Sequence, residues 1–175
     1  NKADSERLES ALGQMGFAST DTPDDANVIV LNSCVVRQKS EDKVVGMLNS
    51  LRSLKQNGSE RVVALMGCMV GPKSDGLERR FPHVDVFMRP QQYEPLIDLL
   101  GDKYGIDTDG CIGSLTAKPH IATFIPIIHG CDKFCTFCII PYRRGRQKSV
   151  PIEDVVREAE LLARRGVKEV TLLGQ

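Results

Sequence analysis

The strongest constraint on the fold of this chain is a run of three cysteines, Gly-Cys-Asp-Lys-Phe-Cys-Thr-Phe-Cys, which places Cys131, Cys135 and Cys138 in one loop. Three thiolates from one loop can hold three irons of a cubane iron–sulfur cluster and leave the fourth iron without a protein ligand. S-adenosylmethionine can chelate that iron through its amino and carboxylate groups, and its reductive cleavage yields a carbon radical. The spacing therefore predicts the cluster loop of a radical enzyme.

Other uses of the three cysteines stay open at this point. A structural zinc site needs a fourth donor, and the neighbouring candidate, His129, lies only two residues before Cys131. Disulfides are typical of secreted proteins, whereas this sequence, in which no signal peptide is recognised, is expected in the reducing cytoplasm. An electron-transfer iron–sulfur protein is a further alternative, although such proteins normally supply four cysteines to the cluster.

The composition is 41% hydrophobic and 26% charged, without an apolar run long enough to span a bilayer, which predicts a globular protein outside the membrane. The charge is uneven along the chain. Residues 1–110 carry 13 basic and 17 acidic groups, whereas residues 111–175 carry 10 and 6. The positive excess therefore lies in the half that contains the cysteine run.

The first half alternates between helical patterns and short apolar runs, which predicts an α/β fold with a parallel sheet and covering helices. Apolar runs rich in β-branched residues predict strands at Val28–Leu31, Val62–Met66 and Val84–Phe87. Helical spacing predicts one helix with Leu8, Ala11, Leu12 and Met15 on a face and Gly16 at its end, and a second with Val44, Leu48 and Leu51 inside. Further helices are predicted up to Arg80 and from Gln91 to Gly101.

Two more cysteines follow predicted strands directly, Cys34 in Leu-Asn-Ser-Cys and Cys68 in Leu-Met-Gly-Cys. The carboxyl ends of parallel strands meet at one edge of a sheet, where ligands commonly bind. We therefore expect these cysteines to lie near each other. The alternative is that both are buried free thiols that act as small apolar residues.

The second half begins after a stretch rich in Asp, Gly, Thr and Ser, residues 102–119, which is predicted to be a linker in which Cys111 is a free thiol. A strand is predicted at Ile121–Ile128, where Pro126 requires an edge, a bulge or a first paired position. A helix after Pro151 has Ile152, Val155, Ala159 and Leu162 on one face and ends at Gly166, and a strand follows at Val167–Leu173. This β-loop-α-β order predicts the first part of a barrel, with the cysteines at its carboxyl edge.

Several separate motifs occur along nearly the whole chain. They are Asn1-x-x-Asp4-Ser5-Glu6, Asn32-Ser33-Cys34-Val35-Val36-Arg37, Gly67-Cys68-Met69, Gly130-Cys131-Asp-Lys-Phe-Cys135-Thr-Phe-Cys138-Ile-Ile-Pro-Tyr-Arg-Arg-Gly-Arg146 and Leu172-Leu173-Gly174-Gln175. In this order they resemble the radical S-adenosylmethionine methylthiotransferases, most closely the branch that acts on isopentenyladenosine beside the anticodon of tRNA. The cysteine run alone would indicate only the radical superfamily.

The resemblance implies two 4Fe-4S clusters. Cys131, Cys135 and Cys138 match the ligands of the cluster that binds S-adenosylmethionine, and Cys34 and Cys68 match two of three ligands of an auxiliary cluster. The third ligand would stand three residues before Asn1, so the chain is expected to be a fragment that is inactive alone. The implied domains are residues 1–101 (methylthiotransferase domain), 102–119 (linker) and 120–175 (start of the radical domain, without the rest of the barrel and the carboxy-terminal RNA-binding domain).

The implied reaction inserts a methylthio group at C2 of isopentenyladenosine, which makes the parent protein a transferase. Phe137 matches a position near the adenine of S-adenosylmethionine, with core packing as the alternative. The basic residues beside the loop suit tRNA phosphates, with solvated surface charge as the alternative: Arg143, Arg144, Arg146 and Lys148. No catalytic side chain is assigned.

The resemblance further implies a monomer in the cytoplasm, supplied with electrons by a donor such as flavodoxin or ferredoxin. The cysteines cannot distinguish two other branches of the family, which act on threonylcarbamoyl-adenosine in tRNA and on a ribosomal-protein aspartate. The residues that flank the cysteines favour the isopentenyladenosine branch, and the positive charge suits a polyanion better than a protein.

Overall fold

A computed structural model describes residues 2–34, 38–56, 60–71, 74–108 and 121–174 of the chain. The described residues form two compact units. The first is Ala18–Thr108, and the second combines Lys2–Phe17 with the described part of Asp109–Gln175. Cys111 and most of the predicted linker lie outside the described residues, as do Val35, Val36 and Arg37 of the second motif.

The first unit is built on a parallel sheet of three strands, β1 (Val28–Ser33), β2 (Val62–Gly67) and β3 (Val86–Met88), in the order β1-β2-β3. The central strand β2 is buried at every position, as expected where helices cover both faces of a parallel sheet. Its register on β1 pairs Val28 with Val62 and Ser33 with Gly67, so the two strands end side by side. The predicted parallel sheet is confirmed.

Three helices belong to this unit: α2 (Gln38–Gln56), α3 (Asp75–Arg80) and α4 (Glu94–Tyr104). The predicted inner face of α2 is confirmed, because Val44, Leu48 and Leu51 are buried in the core cluster with Leu65 and Phe81.

The predicted bounds of two elements in this unit are wrong. The third strand begins at Val86 rather than Val84, because Val84 donates its amide to Phe81 O in a turn. Helix α4 begins at Glu94 and passes through Gly101 to Tyr104, and the left-handed Gly105 (φ 64°) caps it. Gly101 therefore lies inside the helix, where Thr108 packs against it: a Cβ at position 101 would come within 2.6 Å of Thr108 Cγ2.

The second unit contains a sheet of three strands in the order β5-β4-β6: β4 (Ala122–His129), β5 (Lys148–Ser149) and β6 (Glu169–Gly174). Strands β4 and β6 are parallel, whereas β5 runs antiparallel to the end of β4. The register between β4 and β6 shifts between Pro126 and Ile128, and such an irregularity is one of the three placements predicted for Pro126.

The helices of this unit are α1 (Lys2–Gln14), the short α5 (Ile140–Arg144) and α6 (Ile152–Arg164). On α6, Val155, Ala159 and Leu162 join the core around Ile125, as predicted. Ile152 does not, because it is 71% exposed in the first turn, beside the similarly exposed Val156. The helical repeat places Ile152 close to the direction of Ala159, so its exposure departs from the pattern of the sequence.

Helix α1 packs within the second unit, although it precedes the first unit in the sequence. Arg7 Nη2 donates to Glu158 Oε1 of α6 at 2.6 Å, and Lys2 Nζ lies 6.0 Å from the ring centroid of Phe124 on β4. The predicted domains at residues 1–101 and 120–175 stay a prediction. The α/β class, with one parallel sheet followed by the beginning of another, is confirmed.

Candidate functional site

The three clustered cysteines lie in a loop at the carboxyl end of β4, between that strand and α5. The chain leaves β4 at Gly130 in a left-handed conformation (φ 73°), and the loop closes on itself where Cys131 N donates to Gly145 O at 3.1 Å. Within the loop, Cys138 N donates to Cys135 O at 3.0 Å and forms a turn. The predicted position of the cysteines, in the loop after the first strand of this sheet, is the observed one.

Close backbone contact at the base of this loop requires a glycine. A Cβ at Gly130 would lie 2.3 Å from Arg146 O and 2.6 Å from Gly145 O. Real Cβ atoms do not approach a carbonyl oxygen so closely, and the left-handed backbone adds its own cost for any other residue. The start and the end of the loop are therefore held against each other by backbone atoms alone.

The thiols differ in their exposure to solvent. Cys135 is exposed, and Cys131 and Cys138 are half-buried. Across the described residues, no three His, Cys, Asp or Glu side chains gather closely enough to hold one metal ion. In a cubane cluster each thiolate binds its own iron, so three thiolates leave one iron without a protein ligand. The loop supplies three sulfur donors, and its one carboxylate, Asp132, is directed to Arg146. This donor set fits a cluster with one open iron.

Phe137 is 91% exposed beside Cys138, which excludes core packing for this side chain in the described structure. Its predicted role near an adenine stays a prediction. Tyr142 and Phe134 are also exposed, and their rings meet edge to face with centroids 6.0 Å apart. Three exposed aromatic side chains thus lie within or directly after the cysteine loop in the chain.

The four predicted RNA contacts follow the cysteines along the chain but differ in structure. Arg143 and Arg144 form the last turn of α5, and Lys148 lies on β5 opposite His129. Arg146 instead faces Asp132, with Nη1 3.5 Å from Oδ1. The structure therefore gives Arg146 an acidic neighbour within the cysteine loop itself.

The other two cysteines lie at the carboxyl edge of the first sheet. Cys34 directly follows β1 and is half-buried, and Cys68 directly follows β2 and is buried. Ser33 joins the two strand ends: Cys68 N donates to Ser33 O at 3.2 Å, and Ser33 Oγ donates to Met66 O at 2.8 Å. Because β1 and β2 are adjacent and end at paired residues, the structure brings these two cysteines to one edge, as predicted.

Gly67 makes the close approach of these strand ends possible. Its φ is 107°, and a Cβ there would lie 2.3 Å from Ser33 O and 2.7 Å from Asn32 Oδ1. Ser33 and Gly67 belong to the sequence motifs, but no structural role was predicted for them. Such a role could have been suspected from a glycine placed directly before a strand-end cysteine, but its partner on the neighbouring strand is visible only in the fold.

No helix among the described residues is long and apolar enough to cross a membrane.

Comparison with protein families divides the chain in the same order as its motifs. A model described as "Uncharacterized protein family UPF0004" matches residues 1–89. A model of the radical SAM superfamily matches residues 125–175, which include the cysteine loop.

Curated relatives are similar to the chain over its whole length. A protein of Dehalococcoides mccartyi is 42% identical over 175 residues, one of Roseiflexus sp. is 40% identical over 177 residues, and one of Dictyoglomus thermophilum is 38% identical over 188 residues. Each is named tRNA-2-methylthio-N(6)-dimethylallyladenosine synthase. All of this chain is matched in each case, and it spans 40%, 37% and 42% of the respective relatives.

Proposed function

The chain belongs to the UPF0004 family, and from this membership, joined to a radical SAM segment, we propose that its parent protein is a tRNA methylthiotransferase. The proposed substrate is isopentenyladenosine, which is N(6)-dimethylallyladenosine, and the product carries a methylthio group at C2. The observation that carries the proposal is the glycine-closed loop with three cysteines at the carboxyl end of β4. The names of the relatives supply the substrate.

Cys131, Cys135 and Cys138 would hold the cluster that binds S-adenosylmethionine. Their loop supplies three thiols from one short segment, and its backbone closure at Gly130 and Gly145 fixes where the segment begins and ends. Three thiolates leave one iron for the amino and carboxylate groups of S-adenosylmethionine. The exposed ring of Phe137 offers an apolar face to the adenine.

Cys34 and Cys68 would hold part of a second, auxiliary cluster. Ser33 and Gly67 are paired at the strand ends, so Cys34 and Cys68 each directly follow a paired residue. Cys68 is 1% exposed, so it would bind the part of a cluster that faces the protein interior. Cys34 is half-buried and lies nearer to solvent. The proposed auxiliary set has three thiolates, of which these are two.

When bound, the two clusters and S-adenosylmethionine supply the reductive radical chemistry that replaces an inert C–H bond by C–S–CH3. The residues of this chain hold and orient those groups. An electron donor such as flavodoxin or ferredoxin, a monomeric state and a cytoplasmic location complete the proposal.

The tRNA partner is proposed to contact Arg143, Arg144 and Lys148, beside the cysteine loop. Phosphate binding by such side chains makes affinity fall as salt rises. The slope of the logarithm of the binding constant against the logarithm of the salt concentration decreases by about one for each phosphate that is no longer neutralised. Changing Arg143 or Arg144 to Gln in the full parent protein should weaken binding of all substrate tRNAs alike and lower that slope. A salt titration of tRNA binding measures both. An unchanged slope in both variants would remove these residues from the RNA interface.

Nucleoside mass spectrometry of tRNA from a strain that lacks the gene tests the substrate. We expect the 2-methylthio derivative of isopentenyladenosine to disappear and unmodified isopentenyladenosine to accumulate. Retention of that product together with loss of methylthio-threonylcarbamoyl-adenosine or methylthio-aspartate would assign the protein to another branch. The paramagnetic resonance signal of the reduced cluster tests the class: S-adenosylmethionine should change it, whereas the signal of an electron-transfer protein should not respond.

A further inference from the structure

A pair of opposite charges joins the beginning of the cysteine loop to its end. Arg146 Nη1 lies 3.5 Å from Asp132 Oδ1, and the same carboxylate oxygen accepts the amide of Gln147 at 3.1 Å. Asp132 directly follows Cys131, whereas Arg146 and Gln147 follow α5. One side chain at the start of the loop therefore holds both a side chain and a backbone amide at its end.

An aromatic side chain from the middle of the loop joins the same contact. The guanidinium carbon of Arg146 lies 5.0 Å from the ring centroid of Phe134, within the range of a cation–π interaction. Phe134 directly precedes Cys135 and has a left-handed backbone (φ 46°), which is uncommon for an aromatic residue. A strained conformation persists when surrounding contacts determine it, and the stacked guanidinium is such a contact.

The side-chain contacts and the backbone closure of the loop join the same two segments. Cys131 N donates to Gly145 O, and Gly130 fits closely against Gly145 O and Arg146 O. One segment contains Gly130, Cys131 and Asp132, and the other directly follows α5. Loss of the side-chain contacts should therefore let the Cys131 hydrogen bond open more often.

We propose that Asp132, Phe134 and Arg146 form a loop clamp that positions the three cysteines for their cluster. Arg146 is then a positioning residue, and its charge is matched by Asp132 instead of by an RNA phosphate. The inference rests on the proposed function, because it assigns a purpose to the shape of the cluster loop. Its physical core, that the clamp orders the loop, holds for the metal-free chain and can be tested there.

The size of the effect follows from the exposure of the pair. The side chains of Arg146 and Asp132 are 73% and 48% exposed, and exposed ion pairs and cation–π contacts are weak. Removal of the guanidinium should therefore speed local opening by about threefold to tenfold rather than unfold the unit. A change of this size is measurable at a single amide by hydrogen exchange.

Hydrogen exchange of the Cys131 amide in the metal-free chain is the first measurement. Arg146→Gln should raise the exchange rate by about threefold to tenfold, and Arg146→Lys by less, because Lys keeps the charge but loses the planar stack. Asp132→Asn keeps an acceptor for the Gln147 amide and removes only the charge. The double variant, Arg146→Gln with Asp132→Asn, should raise the exchange rate by less than the product of the two single-variant increases, since both substitutions break one shared contact.

The matched control is the pair Arg157 and Asp154 on α6. Its atoms are 3.0 Å apart and its side chains are 68% and 48% exposed, so it resembles the clamp pair in exposure and lies away from the cysteine loop. Arg157→Gln should leave exchange at Cys131 unchanged. The clamp is refuted if Arg146→Gln also leaves that rate unchanged, or if both variants raise it equally.

The second measurement is spectroscopic, on the anaerobically reconstituted chain. Arg146→Gln should retain the iron of the loop cluster, because all three thiols remain, but should alter the paramagnetic resonance signal of its reduced form, which Arg157→Gln should not. Faster exchange with a signal identical to that of the parent would overturn the positioning role. If the full parent protein takes up no cluster at all, the proposed function fails, while the exchange rates still decide whether the clamp orders the loop.

Discussion

Replacement of Gly67 by Ala should disrupt the edge where Cys34 and Cys68 lie. The glycine has φ 107°, and an added Cβ would lie 2.3 Å from Ser33 O, 2.7 Å from Asn32 Oδ1 and 2.9 Å from Ser33 N. Two of these neighbours are backbone atoms of β1, which cannot turn away as a side-chain end can. The strand ends must therefore separate.

The cost has two parts. A left-handed backbone costs a residue with a Cβ about 1–2 kcal/mol. Separation of the strands also weakens two buried hydrogen bonds, from Cys68 N to Ser33 O and from Ser33 Oγ to Met66 O, which together add about 2–4 kcal/mol. The total, about 3–6 kcal/mol, is a large share of the stability of an ordinary domain.

Gly105→Ala is the matched control for the backbone term. Gly105 lies in the same unit with φ 64°, and a Cβ there would meet nothing within 4 Å. Only the cost of the left-handed backbone, about 1–2 kcal/mol, should then apply. The difference between the variants isolates the contact with Ser33.

Urea unfolding followed by far-ultraviolet circular dichroism suits a chain without tryptophan. Gly67→Ala should unfold at a clearly lower urea concentration than Gly105→Ala, and Cys68, which is 1% exposed, should become open to alkylation without denaturant. If the two variants are equally stable, or if Cys68 remains protected in Gly67→Ala, the close approach of the strand ends is not what holds this edge together.

Three further predictions concern the second unit. In the full parent protein, Cys135→Ala should abolish the loop cluster and cleavage of S-adenosylmethionine, because the loop has no fourth thiolate to replace the lost ligand; unchanged iron content and cleavage would contradict the assignment. Gly130→Ala should lower iron uptake by the loop, because the added Cβ overlaps with Arg146 O. Gly166→Ala is the control: Gly166 has φ 91° and open space around it, so iron uptake should stay unchanged. Equal iron uptake by the two variants would exclude the overlap as the cause. Glu158→Gln should weaken the attachment of α1 by about 1 kcal/mol, because the ion pair between Arg7 and Glu158 is lost. Limited proteolysis should then cut α1 faster, and an unchanged cleavage rate would contradict this role of the ion pair.

Much of the fold could be predicted because the controlling signals are local. The apolar runs that became β1 and β2, and the helical repeat of Val44, Leu48 and Leu51, are properties of neighbouring residues. Pro126 lacks an amide hydrogen to donate, which predicted an edge, a bulge or a first paired position, and the register shifts directly after it. The cysteines were likewise placed correctly. Cys34 and Cys68 directly follow strands, and the other three described cysteines lie in the loop after β4, since chain order alone determines which residues follow a strand.

Features that depend on distant partners could not be predicted in this way. Strand β5 has only two residues and forms because His129 and Ile128 pair with it. Thr108 lies so close to Gly101 of α4 that a side chain would not fit there, a contact that the sequence does not show. Ile152 has the spacing of the buried face of α6 but is 71% exposed.

The sequence by itself determined which residues carry the chemistry: three thiols in one loop, two at strand ends, and a positive segment beside them. The tertiary structure decided how those residues are held. Ser33 reaches across to the end of β2, Gly130 lies against Gly145, and Arg146 is paired with Asp132. The physical reason is that residue type and spacing set local conformation, whereas a close contact between distant segments exists only when the whole unit has packed.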